Sequence, residues 1–392
     1  MLNCGNPDKM GYVQYRCLNC GETRRIAFTC KSCFCLTCAK PYTDNWIEFI
    51  SHRLFPGLTY RHFVFTMPDF LCTWFYRHPE LLSDLMRTGY VCLKDVFQTT
   101  SRDALDIGVV MVLQTAGRPA TYNSHLHMIV TEGGLTLDNK WKPVSYIPFE
   151  MMHKKWQHYL LCMMKERINH PRAQADIDKA WRDYPKGFVA FIDKGRAPEK
   201  GEGLAEYLAK YLVSPPISVR RIEQYDGKTV TYWYRDHKTE QIKHETLPVL
   251  KFIGRMVQHI LPKGFQRIRY YGIHSHVRYT QMRPVIAKAL PRDLPLSPDG
   301  FRVKPRKPFA TLFEETFGIN PLLCPECKND MELELIYHPK YGIIKDVLKL
   351  FTGFSHEFFS VKFSEQQQRP PPGRRYAVHR PQRMVQILLP QM

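Results

Sequence analysis

Residues 123–130 alternate between polar and apolar side chains. His125 and His127 lie on one side of this alternation, and Leu126 lies on the other. A period of two is typical of a β-strand, in which successive side chains point to opposite faces. The two imidazoles are therefore predicted to share one face, where they could bind one divalent metal ion. A half-buried strand that happens to carry two histidines would give the same pattern.

A continuous apolar run at residues 107–115 predicts a buried strand before the histidine strand. The turn signal at residues 117–119 would fold the two strands into a hairpin. That hairpin places Gln114 near the imidazoles, where its side-chain oxygen could be a third ligand for a hard cation. Glu132 and Glu206 are the alternative third ligands.

Residues 61–66 are rich in β-branched and aromatic side chains and predict a central strand. His62 within it is interpreted as a strand-edge histidine without a role in chemistry. Residues 79–97 and 249–260 predict helices, and residues 145–200 are expected to be helical and polar. Two alternating segments flank Asp226-Gly227, a strong hairpin signal, at residues 217–222 and 229–234.

Residues 203–213 are rich in Ala, Leu, Glu and Lys, which favour a helix. Pro215 and Pro216 end it. Tyr207 and Tyr211 are four positions apart and would lie above one another on one helical face. Two tyrosines that pack at the edge of a core would explain the spacing equally well.

Together, these patterns resemble those of the two-tyrosine HUH endonucleases, and within them the rolling-circle transposases of the insertion-sequence-91 type. The resemblance spans residues 12–278. It rests on an N-terminal cysteine cluster, the two histidines, the two tyrosines, and the segments 63–68, 113–115, 131–134 and 261–272.

The resemblance implies an α+β fold with a central antiparallel sheet and helices, the ferredoxin-like or RRM-like core of HUH endonucleases, preceded by a small zinc ribbon. It also implies an enzyme that nicks and joins single-stranded DNA at the ends of an insertion sequence. Tyr207 or Tyr211 would take the 5′ phosphate, and His125 and His127 would hold Mg²⁺ or Mn²⁺. Lys210, between the tyrosines, could contact the phosphate or be an exposed helical lysine.

Seven of the twelve cysteines fall within the first 40 residues. They include three Cys-x-x-Cys pairs: Cys17 with Cys20, Cys30 with Cys33, and Cys35 with Cys38. Because two such knuckles complete a tetrahedral site, the spacing predicts structural zinc. The favoured quartet is Cys17, Cys20, Cys35 and Cys38. Cys30 and Cys33 could replace part of it, or join Cys4 in a second site.

The excess of Lys and Arg over Asp and Glu gives a formal charge of +19, which favours a polyanionic partner. Candidate DNA-binding residues are Lys210, Arg220, Arg221, Arg267, Arg269 and Tyr270. For the residues of the predicted hairpin, solvated strand faces are the more common explanation. No apolar run approaches the length of a membrane-spanning helix, and no secretory signal is visible, so we expect a cytoplasmic protein. The resemblance implies that it is bacterial and associated with the nucleoid.

The domain boundaries expected from composition are a zinc-binding segment at 1–44, the endonuclease domain at 45–290, a basic region at 291–365 and a disordered tail at 366–392. Cys324 and Cys327 supply only half a zinc site, with ligands unidentified. Two other functions remain open from the sequence. One is a zinc-dependent DNA-binding protein without catalysis, and the other is a related HUH replication initiator or relaxase.

Overall fold

The structure is a computed structural model. It describes residues 3–30, 35, 38, 43, 46–47, 49–50, 53–55, 57–192, 216–236, 239–290, 308–347 and 387–388. The predicted helix with Tyr207, Lys210 and Tyr211 lies outside the described residues, as do Glu206 and Cys33. The chain forms two compact units, residues 1–42 together with 307–392, and residues 43–306.

The strands, in chain order, are β1 (Tyr12–Cys17), β2 (Thr23–Phe28), β3 (Tyr60–Phe65), β4 (Asp106–Ala116), β5 (Tyr122–Leu135), β6 (Trp141–Pro143), β7 (Ala190–Ile192), β8 (Ile222–Tyr225), β9 (Thr229–Arg235), β10 (Ile242–Pro248), β11 (Ile268–Gly272), β12 (Met331–His338), β13 (Gly342–Asp346) and β14 (Ile387–Leu388). The described helices are α1 (Pro7–Met10), α2 (Asp69–Arg77), α3 (Leu81–Ser101), α4 (Phe149–Arg167), α5 (Pro171–Asp183), α6 (Val249–Val257), α7 (Tyr279–Ala289) and α8 (Phe309–Phe317).

A six-stranded antiparallel sheet is the centre of the larger unit. Its order is β11-β4-β5-β3-β7, and β6 pairs with β5. Alternate residues of β4 and β5, such as Met111 and Leu126, are fully buried in one core with α2, α3, α4 and α5. The alternation predicted for the histidine strand is therefore confirmed, and the imidazoles lie on the face opposite this core.

A smaller sheet in the same unit, β10-β9-β8, packs with α6 around the turn between β4 and β5. Ala120 in that turn has a positive φ and is fully buried. The hydroxyl of Tyr232 donates to the Pro119 carbonyl over 3.0 Å. Nε2 of His259 donates to the Ala120 carbonyl over 3.0 Å. These contacts hold the hairpin at the end that carries Gln114 and His125.

The other unit contains a second antiparallel sheet, of order β13-β12-β1-β2-β14. Its central strands come from opposite ends of the chain, because β1 pairs with β12 from Tyr12 opposite Tyr337 to Cys17 opposite Met331. The sequence predicts separate domains at residues 1–44 and 291–365, whereas a strand from each of these segments pairs with the other in this sheet. Within the expected disordered tail, Ile387–Leu388 pair with β2.

The predicted α+β fold class with antiparallel sheets is confirmed, and so are the strands predicted at 107–115 and 123–130. The strand predicted at 61–66 is observed at Tyr60–Phe65. Two details were wrong. Ala190–Ile192 form an edge strand beside β3 instead of a helix. The predicted strand at 217–222 begins only at Ile222, after a short 3-10 helix over Val219–Arg221.

Candidate functional site

The register of the β4–β5 hairpin places Gln114 directly opposite His125. His127 lies two positions further along β5, opposite Val112 on one side and Val64 on the other. Residues that face each other across antiparallel strands project from the same face of the sheet. The backbone thus brings the predicted ligands together.

The two ring nitrogens of His125 have different partners. Nδ1 lies 2.8 Å from the carbonyl oxygen of Asn123, and Nε2 lies 3.1 Å from Oε1 of Gln114. A carbonyl oxygen can only accept, so Nδ1 carries the proton and the neutral ring has its lone pair on Nε2. Two lone pairs then face each other across 3.1 Å, unless the amide of Gln114 is reversed so that its nitrogen donates.

This spacing fits two ligands of one cation. Mg²⁺ binds its ligands at about 2.1 Å in octahedral geometry, which puts neighbouring ligand atoms about 3 Å apart. The oxygen and the imidazole nitrogen are both donor types that Mg²⁺ or Mn²⁺ accepts. The distance between Nε2 of His125 and Oε1 of Gln114 is therefore compatible with two ligands of one divalent ion.

His62, which the sequence interpretation left at a strand edge, is instead buried at the site. Its side chain is only 4 % exposed. The His62 ring stacks on that of His127 with a centroid distance of 5.3 Å, and its Nε2 lies 3.0 Å from His127 Nδ1. The alternation of β3 predicts that His62 lies on one face of the sheet and that Phe63 and Phe65 lie on the other. Its partner His127 follows only from the pairing of β3 with β5.

Burial lowers the pKa of His125, and it lowers the pKa of His127 well below the usual histidine value. For His127, the neighbouring imidazoles of His125 and His62 and the charge of Arg267 lower the pKa further. Both imidazoles are therefore neutral at pH 7, as metal coordination requires. Arg267, held by a 2.8 Å hydrogen bond from its Nε to the Leu113 carbonyl, brings positive charge to the same place.

Glu132, an alternative ligand, does not belong to this group of side chains. It projects from the other face of β5, and its carboxylate accepts a hydrogen bond from the guanidinium of Arg61. That ion pair is mostly buried, because the two side chains are only 11 % and 25 % exposed.

The predicted DNA-binding residues divide into two groups. Arg221 donates to the carbonyls of Trp233 and Arg118, and Arg269 donates to the carbonyl and the hydroxyl of Ser83. Both guanidinium groups thus form hydrogen bonds with other segments of the protein, in contrast to their predicted role in DNA binding. Arg220, by contrast, is exposed.

Tyr270 also makes contacts within the protein. The guanidinium of Arg53 lies over its ring at 4.5 Å. The ring of His276 meets it edge-on at 4.7 Å. The stacking surface predicted for single-stranded DNA is thus covered on at least one side by Arg53.

The cysteines form two groups of four among the described residues, and the favoured quartet of Cys17, Cys20, Cys35 and Cys38 was wrong. One group is Cys4, Cys30, Cys35 and Cys38, and the other is Cys17, Cys20, Cys324 and Cys327. The reason is the β1–β2 hairpin. Cys17 and Cys20 lie at its turn, whereas Cys30 follows the far end of β2, which is six residues or about 20 Å long.

Sulfur–sulfur distances in both groups fit a shared zinc ion. They are 3.5 Å for Cys4 and Cys38, 3.4 Å for Cys17 and Cys327, and 3.5 Å for Cys20 and Cys324. Four thiolates about 2.3 Å from a tetrahedral zinc lie about 3.8 Å apart, and a disulfide would need about 2 Å. These cysteines are free thiols, and both groups support structural zinc.

Comparisons with known proteins identify the family and support zinc binding at the N-terminus. Residues 108–281 match a family described as a putative transposase, and residues 1–67 match a transposase zinc-binding domain. No solved structure matches the chain. No helix among the described residues is long and apolar enough to cross a membrane.

Two curated relatives match most of the chain. The transposase for insertion sequence element IS801 of Pseudomonas savastanoi pv. phaseolicola is 31 % identical over 339 residues, which cover 83 % of this chain and 80 % of the relative. The putative transposase y4qJ of Sinorhizobium fredii (strain NBRC 101917 / NGR234) is 26 % identical over 338 residues, with 81 % and 82 % covered. The chain therefore belongs to the two-tyrosine transposases of the insertion-sequence-91 family, with an N-terminal zinc-binding domain.

Proposed function

We propose that this transposase nicks and joins single-stranded DNA at the ends of its element through a covalent 5′-phosphotyrosine, as in rolling-circle transposition. The observation that carries the proposal is the distance of 3.1 Å between Nε2 of His125 and Oε1 of Gln114, which is the separation expected for two ligands of one divalent ion.

In the reaction, the phenol oxygen of Tyr207 or Tyr211 attacks the phosphorus, and the bond from phosphorus to the 3′ oxygen breaks. The phenol loses its proton, and the 3′ oxygen leaves as a hydroxyl that has gained one. The energy of the broken ester is kept in the phosphotyrosine, so joining needs no nucleoside triphosphate. A second tyrosine would allow a second linkage before the first is resolved.

His125, His127 and Gln114 would hold Mg²⁺ or Mn²⁺ beside the phosphate. A bound divalent ion would offset the negative charge that builds on the phosphate oxygens in the transition state. Arg267 donates from Nε to the carbonyl of Leu113, next to Gln114, and so adds a fixed positive charge close to the same imidazoles. This charge contributes to the lowered pKa of His125 and His127. We assign Arg267 and the exposed Arg220 to contact with DNA phosphates.

Labelled single-stranded DNA that carries the element ends, incubated with the protein and Mn²⁺, tests the proposal. We expect cleavage and a protein–DNA adduct that survives denaturation in detergent, and we expect neither from the Tyr207→Phe/Tyr211→Phe double variant. His125→Ala and His127→Ala should reduce cleavage by more than the about 10- to 100-fold that loss of an outer-shell partner costs. His158→Ala, which changes an exposed histidine of α4, is the control.

Binding of Mn²⁺ without DNA tests the metal site separately. Gln114→Ala should weaken Mn²⁺ binding if Oε1 is a ligand. Unchanged affinity would mean that the amide nitrogen donates to His125 and that Gln114 is no ligand. DNA binding by a wild-type chain that never cleaves would favour the DNA-binding protein without catalysis.

A further inference from the structure

The turn of the β1–β2 hairpin has the backbone of a metal-binding knuckle. The amide of Gly21 donates to the carbonyl of Cys17 over 2.9 Å, and the amide of Cys17 donates to the carbonyl of Glu22 over 2.8 Å. Gly21, directly after the second cysteine, has a φ of 78°. This tight turn presents both thiols of Cys17 and Cys20 on one side.

A second turn, about three hundred residues later, has the same backbone. The amide of Lys328 donates to the carbonyl of Cys324 over 3.1 Å, and the amide of Cys324 donates to the carbonyl of Asn329 over 2.8 Å. Lys328 occupies the position equivalent to Gly21 and has a φ of 60°. A non-glycine residue adopts this conformation only uncommonly, and Lys328 does so here to complete the same turn as Gly21.

The two knuckles face each other. Strand β1 leads into the first knuckle, and β12 leads out of the second. Cys17 at the end of β1 lies opposite Met331 at the start of β12. All four ligand sulfurs lie within 4.8 Å of one another. Cys17 and Cys324 are buried in one cluster with Met331, and Cys327 packs against that cluster. Cys20 is exposed, so burial alone does not account for the approach of its sulfur to that of Cys324 over 3.5 Å.

We infer that Cys17, Cys20, Cys324 and Cys327 bind a zinc ion of their own, separate from the ion of Cys4, Cys30, Cys35 and Cys38. The zinc ribbon at the N-terminus is thus completed by a knuckle from the C-terminal part of the chain. Two facing knuckles supply the closed tetrathiolate site that is typical of structural zinc. The ion fixes the start of β12 to the end of β1 and so closes a loop of about 300 residues. This inference does not rest on the proposed DNA chemistry.

Alkylation of the full-length wild-type chain tests the site without a substitution. In the zinc-loaded protein, we expect Cys20 and Cys327 to resist iodoacetamide despite their exposure. After treatment with a chelator, all four cysteines should become reactive together, as measured by peptide mass spectrometry. Cys162 is part-exposed and belongs to neither group, so it should react in both conditions.

The zinc content of the purified protein gives a second measurement. We expect two ions per chain for the wild type and for Cys162→Ser, and one for Cys324→Ser/Cys327→Ser. The single variant Cys327→His keeps four ligands at this site, so we expect it to bind two zinc ions per chain. A wild-type stoichiometry of one ion, or alkylation of Cys20 and Cys327 in the zinc-loaded protein as fast as Cys162, would overturn the inference.

Discussion

Nε2 of His62 lies 3.0 Å from Nδ1 of His127, across the boundary between β3 and β5. If Nδ1 of His127 donates this hydrogen bond, the proton of the neutral ring is fixed on Nδ1, and Nε2 can coordinate a metal ion. Metal-bound histidines commonly have an acceptor of this kind on the other ring nitrogen. His62 would therefore position His127 without touching the ion or the DNA.

Replacing His62 should weaken metal binding in a way that depends on the acceptor. We expect His62→Leu, which fills space but accepts nothing, to reduce Mn²⁺ affinity and cleavage by about 10- to 100-fold. His62→Gln, which offers an amide oxygen, should recover much of that loss. A role in packing alone predicts the reverse order, with the leucine variant the more active. Isothermal titration with Mn²⁺ and a cleavage assay would separate the two.

Acid should destabilise the larger unit through His274. This ring is fully buried, stacks on Phe55 at 4.9 Å and lies 3.1 Å from the Tyr60 hydroxyl. Burial and the nearby Arg53 lower its pKa to about 3. Below pH 6.5 the unfolded chain therefore binds a proton that the folded chain does not, and stability falls as the pH falls towards 3.

Between pH 7 and pH 5, this single group should cost about 2 kcal/mol of unfolding free energy. Urea denaturation at both pH values measures it. His274→Gln should be less stable at pH 7, but it should lose about 2 kcal/mol less than the wild type on acidification. Equal losses for the two proteins would mean that His274 does not cause the acid sensitivity.

Arg220 and Arg269 should behave differently when they are replaced. Arg220 is exposed, so Arg220→Ala should lower the salt dependence of single-stranded DNA binding by about 0.7 in the log–log slope, with unchanged stability. The guanidinium of Arg269 donates to Ser83 Oγ over 2.7 Å and lies over the Phe265 ring. Arg269→Met should therefore cost about 1–2 kcal/mol of stability and leave the salt slope unchanged. Fluorescence anisotropy across salt concentrations and chemical denaturation distinguish the two effects.

Glu334 should stabilise the sheet that joins the chain ends. Its carboxylate accepts hydrogen bonds from Gln14 over 2.8 Å and from two nitrogens of Arg16 over 2.8 and 2.6 Å. The Glu334 side chain is only 11 % exposed. Glu334→Ala leaves these donors without their acceptor and should cost about 1–3 kcal/mol. Glu332→Ala, which changes a neighbouring exposed residue of β12, is the control, and thermal unfolding of the zinc-loaded chain compares the two.

Local patterns predicted the elements that carry the histidines. The period of two around His125 and His127 and the apolar run before Gln114 follow from residues that are neighbours in sequence. A hairpin then fixes their pairing, so the Gln114–His125 contact could be anticipated. The sequence did not predict the strand Ala190–Ile192, because three residues are too few to show the period of two that identifies a strand.

Contacts between distant segments could not be predicted in this way. His62 carries no sign of its partner, since the pairing of β3 with β5 joins residues 65 positions apart. Cys324 and Cys327 formed only half a site in sequence, because spacing rules apply within a segment and their partners are at the other end of the chain. The predicted grouping of the N-terminal cysteines was wrong because the β1–β2 hairpin places Cys17 and Cys20 at one end and Cys30 at the other.

Mapping the covalent protein–DNA adduct tests the central claim most directly. Single-stranded DNA from an element end is cleaved in the presence of Mn²⁺, the adduct is digested with protease, and the DNA-linked peptide is sequenced by mass spectrometry. We predict a peptide from residues 203–213 with the 5′ phosphate on Tyr207 or Tyr211. Attachment to any other residue, or cleavage without an adduct under conditions that preserve phosphotyrosine, would contradict the account.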